Sequence, residues 1–139
     1  MFIYDSYASR KNKGTHKAVQ RLDYFKRKVC SNGRNIGNSN FKGMVQGYVL
    51  KADIKKYFDN VNHNVLLNII KLKIKDQEVI NLAQTILQNF STQKENRGMP
   101  LGNLTSQFFA NVYLNELDYF VKHKLKAKYY IRYVDDFVI

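Results

Sequence analysis

Two short apolar runs of this chain carry aspartate where a strand should exclude it. Gly47-Tyr48-Val49-Leu50-Lys51-Ala52-Asp53-Ile54 reads as a mostly buried strand, and Asp53 lies inside it. Tyr129-Tyr130-Ile131-Arg132-Tyr133 reads as a second strand, Val134-Asp135-Asp136 as a tight turn and Phe137-Val138-Ile139 as a returning strand. Aspartate is depleted from strands and from interiors, so a chain that puts carboxylates there must offset their charge. Adjacent strands lie about 4.8 Å apart, so setting Asp53 beside the Asp135 turn would make a compact all-oxygen site. Like charges gathered in this way raise each other's pKa unless a cation neutralises them. Oxygen donors of this kind select Mg²⁺, with Mn²⁺ as the alternative by availability, and leave room for water and substrate phosphates. Two such ions about 3.5–4 Å apart can serve in-line phosphoryl displacement. The same residues also fit a plainer account: an Asp-rich turn, and an aspartate that closes a strand.

The remaining pattern is helical, which makes the expected class α+β. Thr15 opens a helix in which Ala18, Val19, Leu22, Phe25 and Val29 recur at helical spacing, with Lys17, Arg21, Lys26 and Lys28 on other faces. Ser31 to Gly47 is rich in Asn, Gly and Ser and reads as a loop; Gly33, Gly37, Gly43 and Gly47 lack phosphate-loop spacing. His63 to Lys73 carries Val65, Leu66, Ile69, Ile70 and Leu72 on a helical stripe, and Asp76 to Phe90 carries Val79, Leu82, Ala83, Ile86 and Leu87. After a polar loop, Ser91 to Gly98, a long helical pattern runs from Leu104 to Leu125 with Phe108, Val112, Leu117, Phe120 and Val121. The last strand stops after three residues, and so short a partner makes a marginal hairpin, so the chain is expected to be cut within its domain.

Charge gives the first functional direction. The 139 residues hold 23 Lys and Arg against 11 Asp and Glu, a formal charge of +12. Residues 1–52 hold 11 of those cations and only 2 of the anions, so the surplus is concentrated ahead of Asp53. A basic first third suits a polyanion such as nucleic-acid phosphate, or else a solvated basic surface. With 45% apolar residues the chain is no disordered tail, and size scaling allows it one core but hardly two. The single Cys30 forms no internal disulfide, which fits an intracellular setting, and no apolar run reaches the roughly 18 residues of a membrane span. Met1 to Asp5 lacks the regions of a signal peptide.

Arg97-Gly98-Met99-Pro100-Leu101-Gly102-Asn103-Leu104-Thr105-Ser106-Gln107 adds a third segment. Gly98 and Gly102 flank the only proline just before the long helix, so backbone can approach a flat ligand closely beside free helical N–H groups. A plain helix entry with Asn103 or Thr105 as N-cap is the other reading.

Taken together, the three segments resemble reverse transcriptases. Asp53-Ile54-Lys55-Lys56-Tyr57-Phe58-Asp59 looks like palm motif A, Gly98 to Gln107 like motif B of the bacterial branch, and Tyr133-Val134-Asp135-Asp136 like motif C. The nearest likeness is to bacterial retroelement enzymes: diversity-generating retroelements, retrons and group II introns. Ser6-Tyr7-Ala8-Ser9-Arg10-Lys11-Asn12-Lys13-Gly14-Thr15-His16 also resembles the stretch preceding motif A in the first of these groups. Any one of the motifs alone is weak; all three in order are specific.

The resemblance implies a right-hand polymerase palm, an antiparallel sheet packed on helices, truncated before the thumb. Residues 47–139 would be the palm core and residues 1–46 a basic connection to the fingers. It implies RNA-directed DNA polymerase activity, adding dNTPs to a primer 3′-OH by two-metal phosphoryl transfer. Asp53 and Asp135 would bridge the metals, with Asp136 less directly engaged and the Ile54 carbonyl completing one metal's shell. Phe58 matches the steric gate whose ring occupies the place of a ribonucleotide 2′-OH. Pro100, Leu101 and Gly102 would line the nucleotide pocket and Gln107 would help place substrate or template. Arg97 would meet template phosphate, or is a solvated loop residue; Tyr133 would pack near the primer terminus, or belongs to the core. Implied partners are an RNA template, a DNA or RNA primer, dNTPs and an accessory protein of the element, in the cytoplasm of a bacterium or its phage and with no membrane. The isolated 139 residues are expected to be poorly active.

Other conspicuous residues carry less. His16, His63 and His123 lack metal-ligand spacing and read as surface or capping residues, Cys30 as a buried or inert thiol, and Ser106 sits in no hydrolase elbow. An RNA-dependent RNA polymerase would need a polar group for the 2′-OH where Phe58 stands, with Asp59 the only rival, and a glycine where Val134 stands. A non-catalytic RNA-binding remnant is the alternative from another class, supported by the basic first third.

Overall fold

The structure is a computed structural model that describes residues 2–30, 48–90 and 95–139. The expected Ser31–Gly47 loop with its four glycines, and residues 91–94 of the next polar loop, lie outside the described residues. Elements run in the order α1 (Thr15–Val29), β1 (Lys51–Asp53), α2 (Tyr57–Asn60), α3 (His63–Lys73), α4 (Gln77–Gln88), α5 (Leu104–Tyr119), a π-helical turn (Phe120–Lys124), β2 (Ile131–Tyr133) and β3 (Asp136–Val138). Helices with a small antiparallel sheet make the class α+β, as the sequence pattern predicts.

Local signals account for several of these boundaries. Asp76 caps α4, its carboxylate accepting from the N–H groups of Glu78 and Val79 at 2.9 and 3.3 Å. Asn62 caps α3 by accepting from the Val65 N–H at 3.1 Å. Lys26, Arg27 and Lys28 crowd the last turn of α1, where the helix dipole favours cations, and Arg27 pairs with Asp23 at 2.6 Å. The long helix changes its winding at Phe120, where the Leu125 N–H bonds the Phe120 carbonyl at 3.0 Å, so only Leu104–Tyr119 of the predicted span is α-helix.

The sheet has the order β1-β3-β2, both pairings antiparallel. Lys51 pairs with Val138, Ala52 with Phe137 and Asp53 with Asp136, while Ile131 pairs with Val138 and Tyr133 with Asp136. Reciprocal bonds of 3.0 Å between Leu50 and Ile139 extend the first ladder. On the far side of β2, residues 5–7 are tied to Arg132: the Arg132 N–H bonds the Asp5 carbonyl and the Tyr7 N–H bonds the Arg132 carbonyl, each at 3.0 Å.

The main core gathers Tyr57 and Val61, Leu66, Leu67 and Ile70 of α3, Ala83 and Leu87 of α4, Met99, and Phe109, Ala110 and Leu114 of α5. A second cluster joins Tyr7, Ala18, Phe25 and Ile131, which seats α1 on β2. Several expected core positions are corrected. The run before Asp53 is not a mostly buried strand: Tyr48, Val49 and Leu50 are exposed, and the described strand is only Lys51–Asp53, which among the described residues is an edge strand paired with β3 alone. In α1, Ala18 and Phe25 are buried but Val19 and Val29 are exposed, since the helix meets the sheet along one narrow line at β2. In α3 and α4, Leu67 and Ile80 are buried whereas Val65, Leu72, Val79 and Leu82 face outward; the two helices pack on each other, and α3 also packs on α5. Phe108 and Phe120 of the long helix are likewise exposed. No helix among the described residues is long and apolar enough to cross a membrane.

Three tyrosines make the fold sensitive to alkali. Burial pushes the Tyr7 hydroxyl from its ordinary 10.0 up to about 12, assisted by the negative charge of Asp5. Burial raises Tyr57 and Tyr130 as well, and Asp118 adds to the shift at Tyr130. Below the unfolded value of 10.0 these phenols are protonated in both states and cost nothing. As pH rises through the folded value of Tyr7, the unfolded chain has already released protons that the folded chain retains, so stability falls. We expect unfolding, followed by far-UV circular dichroism, to set in between pH 10.0 and about 12, with Tyr7→Phe reducing the slope. A flat stability profile over that range would contradict the assignment.

Candidate active site

The site is built at the turn of the β2–β3 hairpin, where β3 pairs with the end of β1. Tyr133 ends β2 and Asp136 opens β3 as its register partner, so Val134 and Asp135 alone form the turn. Val134 has φ of 55°, an uncommon conformation for a β-branched residue and a strained one. The first position of a two-residue hairpin with positive φ is ordinarily taken by glycine. Asp53, at the end of β1, lies directly opposite Asp136, which puts these two side chains on one face of the sheet. Lys51, two residues before Asp53, reaches Asp136 at 4.0 Å in an exposed pair worth little by itself.

Asp135 is only partly exposed. Burial pushes its carboxyl above the ordinary carboxylate range, and the negative charges of Asp53 and Asp136 push the same way against a lowering backbone hydrogen bond. Asp135 therefore feels the charges of both Asp53 and Asp136 across the sheet corner. Among the described residues there is nevertheless no group of three or more His, Cys, Asp or Glu that could hold a metal ion by itself. What the corner offers a cation is hard oxygen only, which suits Mg²⁺ or Mn²⁺, and the repulsion felt at Asp135 is what a cation would relieve.

After Asp53 the chain turns through Lys56, at φ of 52°, into α2. Ile54 and Phe58 are partly buried and lie against the main core, as does Val134 of the turn. The Phe58 ring meets that of Tyr57 edge-on at 5.3 Å, and the Tyr57 hydroxyl donates to the Ala110 carbonyl of α5 at 3.0 Å. The glycine-proline loop is bonded to this same stretch: the Met99 N–H donates to the Phe58 carbonyl at 2.8 Å and the Gly98 N–H to the Val61 carbonyl at 2.9 Å. Gly98 and Gly102 have φ of 97° and 87°, conformations that exclude most other residues. Pro100 is half-buried, and Leu101 and Gly102 are exposed. Asn103 stands at the N-cap of α5, although its side chain makes no capping bond.

The remaining predicted residues reach the N-terminal segment. Gln107 Oε1 accepts from the Ser9 hydroxyl at 2.6 Å, and the Tyr133 hydroxyl accepts from Thr15 at 3.1 Å. Tyr133 is thus an exposed, tethered ring and not part of the core. Arg97 is exposed and forms a main-chain bridge with Asn62.

Sequence reasoning missed two groups here. His63 is buried and not a surface residue: its Nε2 lies 2.7 Å from the Gly98 carbonyl, which pins the start of the glycine-proline loop to α3. Arg132 is fully buried, with Asp118 fully buried beside it. The signal for Arg132 was available, since a cation in the strand-like Tyr129–Tyr133 run is as anomalous as Asp53 in its own.

Comparison with known proteins places the chain in a family. Residues 1–139 match the family described as reverse transcriptase (RNA-dependent DNA polymerase). The chain is similar to the group II intron-encoded protein LtrA of Lactococcus lactis subsp. cremoris, 39% identical over 87 residues, 59% of this chain and 14% of that protein. It is similar to an uncharacterized 91 kDa protein in the cob intron of Schizosaccharomyces pombe, 37% identical over 97 residues, 66% of this chain and 12% of the relative. Protein YkfC of Escherichia coli K12 is 24% identical over 126 residues, 86% of this chain and 29% of its own length. The chain thus spans less than a third of each of these relatives. Because the family match runs from end to end and takes in all three motif segments, the chain belongs to the reverse transcriptase family.

Proposed function

We propose that these residues carry the catalytic centre of an RNA-directed DNA polymerase that adds dNTPs to a primer 3′-OH on an RNA template. The observation that carries this reading is the strand register, which sets Asp53 opposite Asp136 with Asp135 in the adjoining turn. Residues 47–139 are the palm core and the basic residues 1–46 lead toward the fingers. Asp53 and Asp135, with the Ile54 carbonyl and with Asp136 nearby, would hold divalent cations, whose bound charge would supply Lewis-acid activation of the primer 3′-hydroxyl and neutralisation of the leaving pyrophosphate. The protein's share is positioning and charge placement. Pro100, Leu101 and Gly102 face the incoming nucleotide, Gln107 orients substrate or template, Arg97 meets template phosphate and Tyr133 supports the primer end. The partners are the RNA template, a DNA or RNA primer and dNTPs, with a retroelement accessory protein.

Phe58 excludes the 2′-hydroxyl by overlap, so Phe58→Ala is expected to relax sugar selection on the order of 10²-fold. Primer extension on an RNA template with the full-length polypeptide, comparing kcat/KM for dNTP and rNTP, measures this. Unchanged selectivity in an active Phe58→Ala protein would remove the gate assignment. Absence of RNA-templated dNTP incorporation by the wild type would remove the polymerase reading itself.

A further inference from the structure

We infer that Arg132, locked by Asp118, is a positioning residue that sets the Val134–Asp135 peptide and thereby the direction of the Asp135 carboxylate; this rests on the polymerase reading above. Arginine has five N–H donors, and here each has an acceptor. Nε and Nη2 hold the two carboxylate oxygens of Asp118 at 2.7 Å each. The second proton of Nη2 reaches the Ser6 hydroxyl at 3.2 Å, and Nη1 reaches Asn111 Oδ1 at 3.2 Å. The last donor of Nη1 goes to the Val134 carbonyl at 2.7 Å.

The acceptors are themselves held. The Tyr130 hydroxyl donates to Asp118 Oδ1 at 2.7 Å, and Asn111 Nδ2 donates to the Ala8 carbonyl at 2.8 Å. The guanidinium is therefore fixed from α5, from the turn and from the N-terminal segment, with no exposure to solvent. A peptide unit is planar, so anchoring the Val134 carbonyl fixes the plane that also contains the Asp135 N–H. That anchor acts on the one residue of the turn that carries a strained φ. Bulk stability does not require an ion pair at such a place, since apolar replacements of buried pairs are often neutral or better. What an apolar pair lacks is the donor to Val134. Lysine keeps the charge but has no planar fork to serve Asp118 and Val134 at once.

The test uses the full-length polypeptide with Arg132→Lys and with the apolar pair Arg132→Met/Asp118→Leu. Both are expected to keep a cooperative thermal transition. At saturating dNTP, kcat is expected to fall about 10–100-fold, the range seen when residues that orient metal ligands are changed. The KM for dNTP should move less than about threefold, and Mn²⁺ affinity, titrated by electron paramagnetic resonance without substrate, should weaken by about tenfold. Folded variants with kcat and Mn²⁺ affinity within about twofold of the wild type overturn the inference. So does a loss that only follows the unfolded fraction in both variants. A wild type without polymerase activity counts against the polymerase reading instead, and the Mn²⁺ titration then decides on Arg132.

Discussion

Asp135→Ala and Asp135→Asn are expected to lose RNA-templated primer extension by about 10³-fold or more while the protein remains folded. Removing one preorganised charge-stabilising group from an enzyme site ordinarily costs about 10²–10³-fold, and this carboxylate would touch the reacting assembly directly. The same residue should behave in the opposite sense for stability. Burial and the charges of Asp53 and Asp136 raise its folded pKa, so its ionised form is disfavoured in the folded state. A raised folded value gives stability that is present below the unfolded pKa and is lost as pH rises through the folded pKa. At neutral pH, Asp135→Asn should therefore leave the melting temperature unchanged or higher, and it should flatten the acid side of the stability profile. Activity lost together with stability gained is the pattern of a strained functional group. Primer extension paired with thermal denaturation measures both. Extension by Asp135→Ala at the wild-type rate would displace the site.

Asp118→Ala is expected to be among the most destabilising single changes in the chain, at about 3–5 kcal/mol. The reason is the charge left behind. Arg132 would remain fully buried without its carboxylate, and the Tyr130 hydroxyl would lose its acceptor. Asp118→Asn keeps one acceptor oxygen but removes the compensating charge and turns an amide N–H₂ toward a donor of Arg132 or Tyr130, so it should be clearly destabilising as well. Urea unfolding of the two variants measures both losses. A loss below about 1 kcal/mol for Asp118→Ala would mean that solvent or another group compensates Arg132.

Periodicity located α1, α3, α4 and the long helix in the sequence, and it placed strands around Asp53 and Asp135. It did less well with which face is buried, as Val19, Val65 and Leu82 show. Those helices are apolar over more than one line, and the neighbour that covers a line comes from distant sequence. The carboxylates were legible because a charge in an apolar run breaks the strand pattern. Arg132 broke the same pattern, yet its partner Asp118 lies on a polar stretch of a helix and shows no anomaly of its own.

By itself the sequence determined the α+β class, the three motif segments and the family they belong to. These follow from residue type and spacing, which are local properties. Only the tertiary structure decided that Asp136 is the register partner of Asp53, with Asp135 confined to a two-residue turn. It alone decided that His63 and Arg132 are buried and bonded to the glycine-proline loop and to the turn. Register and burial depend on which distant segments meet. The two aspartate runs that break the strand rule pair as β1 and β3 of one sheet, and the arginine that breaks it on β2 is bonded to the turn that joins β2 to β3.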